Sequence, residues 1–458
     1  MKTLRTKLYL STVATVLFLF FSGIASAQTV SKDAAAKIDE YMNAGVKYAR
    51  YNSAVMVAEA GKPIVARGYG MANFEDETPI TPQTKFRVGS VTKQFTSMAI
   101  MMLQEKGKLN TEDKICKYLS DCPAAWADIT IHNLLTHTSG IHNYTALPSF
   151  VPLMPEPTTP AKLIGLVKGM PLDFRPGEKY SYSNSGYIVL GAIIEQVSGK
   201  SYKAFLQENI FTPLGMTGTG YDEATPVIKH RAAGYSHQGS TIVNTRYIDM
   251  TIPFSAGAIY STVEDLLIWD QALYTEKLVS QKSLDAIFTP FKSNYAYGWT
   301  VTEQFGHKLI SHNGGVNGFS AHISRFTSDK ITIIVLSNFD DGRATKIATD
   351  LAAIVFGQQY EIPQERKEVK LDPKILAGYA GVYQIAPAFS ITIIVEGDRI
   401  YAQATGQNRF EIAPQSDTKF FARAVDIDIS FFKDDKGETS HLIIHQAGRE
   451  TKATRVKQ

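Results

Sequence analysis

The chain turns on one stretch, Phe86-Arg87-Val88-Gly89-Ser90-Val91-Thr92-Lys93-Gln94-Phe95. From Val91 onward the apolar residues fall at Val91, Phe95, Met98 and Met102, with Ala99 and Leu103 beside them. Spacing of three and four predicts an amphipathic helix, and Gly107 is its stop. Gly89 lies just ahead, where a chain leaving an extended segment needs room to turn. Ser90 and Lys93 are then one turn apart on one face, at the end where backbone N–H groups lack partners. A hydroxyl is a poor nucleophile unless a neighbour takes its proton, and an amine one turn away can do that. The helix N-terminus also favours negative charge developing close by. Taken alone, Ser-x-x-Lys is as readily a solvated helix surface.

Working outward, a second constellation is Pro176-Gly177-Glu178-Lys179-Tyr180-Ser181-Tyr182-Ser183-Asn184-Ser185-Gly186-Tyr187. Here a Pro-Gly turn leads to Tyr-x-Asn on a loop entering the next helix. A phenolate serves as a general base if its pKa is lowered, and a nearby lysine cation lowers it. Asn184 has an acceptor and two donors, suited to orienting that lysine and a substrate amide. Ordinary packing tyrosines in a polar loop are the plain alternative. The third is Ser311-His312-Asn313-Gly314-Gly315-Val316-Asn317-Gly318-Phe319. Glycine at this density lets a substrate backbone approach a strand edge and exposes N–H donors to an oxyanion. Alone it reads as a glycine-rich turn.

Ser-x-x-Lys, Tyr-x-Asn and His-x-Gly in this order resemble the family of class C β-lactamases, low-molecular-weight penicillin-binding proteins and related serine hydrolases. Further matching stretches are Lys85-Phe86-Arg87-Val88-Gly89 and Leu134-Leu135-Thr136-His137-Thr138-Ser139-Gly140-Ile141. Ser255-Ala256-Gly257, Ser261-Thr262-Val263-Glu264-Asp265 and Val335-Leu336-Ser337-Asn338 match as well. The resemblance runs from about residue 35 to 356. It implies Ser90 as acylated nucleophile, Lys93 as its charged activating neighbour and Tyr182 as proton shuttle. Asn184 would position Lys93 and the acyl side chain. Ser90 and Gly315 N–H groups would form the oxyanion hole, with Gly314 and Gly315 along the substrate-binding strand. His312 stands where β-lactamases usually carry Lys; a His is only partly charged near neutral pH, which disfavours carboxylate-anchored β-lactams. The implied reaction is acyl transfer from a peptide or amide, D-configured in part, as in D,D-peptidases and D-aminopeptidases. An esterase or β-lactamase of the same family is the alternative, and a penicillin- or wall-binding protein without turnover is the competing class. No metal or organic cofactor is implied.

The remaining sequence frames this reading. Residues Ser31 to Tyr48 predict a helix; Ser53–Glu59 and Pro63–Gly70 predict a hairpin, and Ala321–Phe326 with Ile331–Leu336 a second. Ala344–Phe356 predicts a closing helix. Strands at both ends around a helical insert give one α/β domain over 28–357, with an antiparallel sheet closed by distant segments. A polar linker follows over 358–370. Short alternating strands over 371–458 predict a small all-β barrel, similar to the lipocalin-like domain appended to some relatives.

At the start, Lys2, Arg5 and Lys7 precede an apolar run from Leu8 to about Phe21 and then Ala25-Ser26-Ala27. This pattern predicts a signal peptide over 1–27 and a periplasmic or secreted protein. Its removal leaves 44 Lys and Arg against 44 Asp and Glu, a neutral balance that points away from nucleic acid or an anionic membrane surface. Small molecules, peptides or peptidoglycan fragments are the expected partners, and no oligomeric state is indicated. The two cysteines, Cys116 and Cys122, form a small-loop disulfide in an oxidising compartment or remain inert thiols. There is no G-x-S-x-G elbow, which disfavours an α/β-hydrolase. His132, His137 and His142 recur every five residues, a spacing that puts no two on one helix face as H-E-x-x-H does.

Overall fold

Why the second hairpin pairs with the first follows from their burial. In a computed structural model, Phe319–Phe326 and Ile331–Ser337 are buried at every position, and Ser53–Glu59 at all but its last. Such runs need cover on both faces and neighbours on both edges. They are the middle of a six-stranded antiparallel sheet. Its order is Thr300–Gln304, His307–Val316, Phe319–Phe326, Ile331–Ser337, Ser53–Glu59, Lys62–Tyr69. Val57 pairs with Ile333 and Ser53 with Ser337, so segments nearly 280 residues apart close the sheet. The structure describes residues 30, 33–49, 51–238, 241–365, 367–387, 389–407, 409–422, 427–446 and 449–456. The expected signal segment lies outside them. Among the described residues no helix is long and apolar enough to cross a membrane.

One sheet face is covered by the helices Ala34–Ala44 and Arg343–Val355, through Ile38, Tyr41, Ile347 and Leu351. The other face meets the helical insert, whose core contains Phe95, Met98, Leu134, Ile193 and Trp269. Helix Val263–Ala272 is tied to the sheet by a fully buried ion pair, Asp270 with Arg325, and Asp270 also accepts from Thr332 Oγ1 at 2.6 Å. Cys116 and Cys122 are joined as a disulfide within the insert.

The Ser90 helix differs from its expected form. A 3₁₀ turn, Gly89–Val91, carries Ser90 into an α-helix over Thr92–Glu105. Every residue from Thr92 to Leu103 is buried, so the helix has no solvated face over that span. Its polar side chains find interior partners: Thr96 Oγ1 donates to Ser255 O at 2.7 Å, and Gln94 Oε1 accepts from Trp269 Nε1 at 2.9 Å.

At the C-terminus eight antiparallel strands form a closed barrel. Two of them, Phe410–Pro414 and Arg449–Arg455, carry no clear strand signal, and pairing with neighbours on each side makes them strands. Tyr379 ends a short helix, Pro373–Tyr379. Its ring stacks on Phe431 at 4.1 Å, inside a core built from Tyr383, Ile393, Phe420 and Leu442.

Candidate active site

Three elements bring the three motifs together. The turn at Gly89–Val91 presents Ser90, the helix Asn184–Ser198 begins at Asn184, and the strand His307–Val316 runs alongside the turn. Strand Thr300–Gln304 pairs only with residues 307–311. Beyond Ser311 the edge is therefore left to face the Ser90 turn. That approach demands glycine. A Cβ on Gly314 would lie 2.0 Å from Val88 O and 3.0 Å from Ser90 N; one on Gly89, at φ +51°, would lie 2.6 Å from Gly315 N. Gly315 itself borders open space.

Lys93 Nζ lies 3.0 Å from Ser90 Oγ, 2.8 Å from Asn184 Oδ1 and 2.9 Å from Ala256 O. The side chain is fully buried, and that desolvation holds its pKa well below the usual amine range. A neutral amine has two hydrogens and one lone pair. Asn184 Oδ1 and Ala256 O are both acceptors and take the two hydrogens, which directs the lone pair to the Ser90 hydroxyl. Against the expected charge on Lys93, burial favours the neutral amine and makes it a candidate base. Tyr182 is corrected in the same direction. Burial raises its pKa, with its hydrogen bond to Ser90 opposing the rise, so it is a neutral phenol and not a phenolate. Its ring lies 4.9 Å from Lys93 Nζ.

Asn184 is fixed from its other side: its N–H donates to Asn143 Oδ1 at 3.1 Å and its Nδ2 to Thr145 Oγ1 at 3.4 Å. His312 is buried and uncharged. Desolvation lowers its pKa to about 3, so the expected partial charge is absent.

Two residues at the site escaped the sequence reading. Tyr295, in a loop between helix Gln281–Phe288 and strand Thr300–Gln304, meets His312 Nε2 through its hydroxyl at 2.9 Å. Nothing local marks it, because its partner lies 17 residues on in the chain and meets it only once the chain is folded. The second is His137, which the sequence offers only within the Leu134–Ile141 stretch and the five-residue histidine spacing. It adopts φ +55° and packs its ring against Tyr182 at 4.2 Å, Tyr295 at 4.6 Å and Tyr187 at 5.1 Å. Its Nδ1 accepts from Ser183 N–H at 3.2 Å, which holds the Tyr182 loop in place. His132 and His142 point elsewhere, to Tyr297 and Asp173. Among the described residues no cluster suited to a metal ion occurs.

Tyr182→Phe keeps this packing and removes one hydroxyl. Turnover should fall by about 10² to 10⁴-fold, the scale for losing an acid–base group, with an unchanged unfolding midpoint. Full activity in that variant, read by kcat on any turned-over ester, would remove Tyr182 from the proton path.

Comparison with known proteins bears on the family and the fold. The Beta-lactamase family profile matches residues 34–356, and a domain of unknown function, DUF3471, matches residues 365–457. The chain is similar to a penicillin-binding protein of Bacillus subtilis (strain 168), 31% identical over 435 residues, covering 89% of this chain and 96% of that one. Among solved structures it resembles an octameric penicillin-binding protein homologue from Pyrococcus abyssi. That match has a TM-score of 0.64 and 24% identity, over 92% of this chain and 99% of the other. It also resembles in fold the D-amino acid amidase of Ochrobactrum anthropi SV3, with a TM-score of 0.63 and 23% identity, over 71% of this chain and 98% of that one. With a profile match across most of its length, the chain belongs to the Beta-lactamase family and is an enzyme of the serine hydrolase class.

Proposed function

We propose that the protein hydrolyses a peptide or amide by two-step acyl transfer through Ser90. One observation carries the reading: a desolvated Lys93 amine 3.0 Å from Ser90 Oγ, with two carbonyl acceptors fixing its hydrogens. Ser90 Oγ attacks the substrate carbonyl carbon as its proton passes to Lys93 Nζ. The carbonyl oxygen becomes an oxyanion held by the N–H groups of Ser90 and Gly315. Collapse expels the leaving amine, which takes a proton through Tyr182. Water then attacks the acyl-enzyme, giving its proton to the same base, and Ser90 is released.

A substrate lying along residues 312–316 would add a strand to that free edge, a mode suited to peptide backbones. That geometry supports a peptide or amide over a small ester. D-configuration is part of the proposal and rests on what the resemblance of the sequence motifs implies. Export is proposed from the leader pattern at residues 1–27.

The test compares kcat/KM for a D-alanyl-D-alanine peptide, p-nitrophenyl butyrate and nitrocefin on one preparation. The peptide or the ester should exceed nitrocefin, because the neutral His312 offers no cation to a β-lactam carboxylate. Nitrocefin turnover orders of magnitude above both would make the protein a β-lactamase.

A further inference from the structure

His312 occupies the place from which a charged residue would reach a substrate, yet its ring is closed off on both sides. It is only 4% exposed. Nδ1 lies 2.5 Å from Asn313 O, and Nε2 lies 2.9 Å from the Tyr295 hydroxyl. A carbonyl oxygen can only accept, so Nδ1 carries the ring proton and Nε2 keeps its lone pair. Tyr295 therefore donates. Neither ring nitrogen has a donor left for a ligand.

We propose that Tyr295 and His312 form a fixed donor–acceptor pair that sets the height of the 312–316 strand edge against Ser90, and that His312 is a positioning residue rather than a carboxylate anchor. The peptide bond between Asn313 and Gly314 is held at its carbonyl by the His312 side chain, and Gly315 follows directly. The backbone that faces the nucleophile is thus tied to the loop bearing Tyr295. Ionisable groups around the ring are Lys93, His137, Tyr182, Tyr295 and His322, none of them a carboxylate, so a protonated His312 would be a buried charge with no anionic partner among them. The acyl donor accepted here is one whose leaving group needs no carboxylate: an internal peptide bond, an amide or an ester.

The kinetic arm of the test rests on the acyl-transfer reading; the spectroscopic arm does not. A D-alanyl-D-alanine peptide and the same peptide ending in a carboxamide differ only in the carboxylate. Wild-type kcat/KM should be nearly equal for the two. Tyr295→Phe and His312→Gln should slow both alike, by roughly tenfold, the scale of one lost buried hydrogen bond, through kcat rather than KM. A strong preference for the free acid that His312→Gln abolishes would overturn the proposal. Separately, histidine labelled with ¹⁵N in the full chain reports the ring by long-range proton–nitrogen correlation. His312, one of ten histidines and identified by its loss in His312→Gln, should be the neutral Nδ1–H form throughout about pH 5.5 to 8.5. Titration inside that window, or a proton on Nε2, would overturn the proposal whatever the activity. Failure of every substrate and of Ser90 labelling, with the spectrum as expected, would instead refute the acyl-transfer reading.

Discussion

Ser90→Ala should abolish hydrolysis and covalent labelling by a fluorophosphonate while leaving the fold intact. Ser90 is partly exposed at the N-terminal turn of a buried helix, and the substitution removes one oxygen without opening a core cavity. Lys93 Nζ would lose one of its three contacts and keep Asn184 Oδ1 and Ala256 O. The unfolding midpoint should therefore hold. The expected loss in kcat is on the order of 10⁶-fold, the scale on which a serine nucleophile matters, with binding and oxyanion donors left in place. Labelling that persists in the variant would assign the nucleophile elsewhere.

Lys93→Met should give the second largest loss. Methionine nearly fills the lysine's volume but offers no base and no donor. Turnover should drop by about 10² to 10⁴-fold. Stability should fall too, since Asn184 Oδ1 and Ala256 O lose a buried donor, at about 1–3 kcal/mol for each unsatisfied group. The pH profile separates base from cation. Burial lowers the Lys93 pKa, so the reactive neutral form predominates above that lowered value and is lost as pH falls through it. In the wild type the rise of kcat/KM with pH should therefore be displaced to below the ordinary lysine range. A rise centred near the ordinary value would show that Lys93 stays a cation, and the base role would pass to another group.

The three motifs were legible because each is contiguous and carries its own chemistry: Ser90 and Lys93 by helical spacing, Tyr182 and Asn184 at a helix entry, Gly314 and Gly315 as backbone without side chains. Hairpins were legible from alternation and turns, as at Ser53–Glu59 with Lys62–Tyr69. What the sequence hid depends on partners distant in the chain. Lys93 looks like a surface lysine until Asn184 and Ala256 enclose it, and its ionisation follows from that enclosure. The same holds for Thr96 and Gln94, polar residues on a helix that is buried all round. Tyr295 acquires its role only when folding brings its loop against the His312 ring. In the barrel, Arg-Glu-Thr-Lys-Ala-Thr-Arg at 449–455 lacks any apolar alternation, and it is a strand because both neighbouring edges need a partner.

The central claim is that a covalent acyl-enzyme forms on Ser90. Wild-type protein is mixed with excess p-nitrophenyl butyrate, quenched in acid within the first turnovers, and measured by intact mass and then by peptide mapping. The account predicts a single butyryl adduct on the peptide that spans Ser90, absent in Ser90→Ala and accumulating further in a variant slowed in deacylation. Turnover with no adduct on any residue, or an adduct mapped to another side chain, would contradict it.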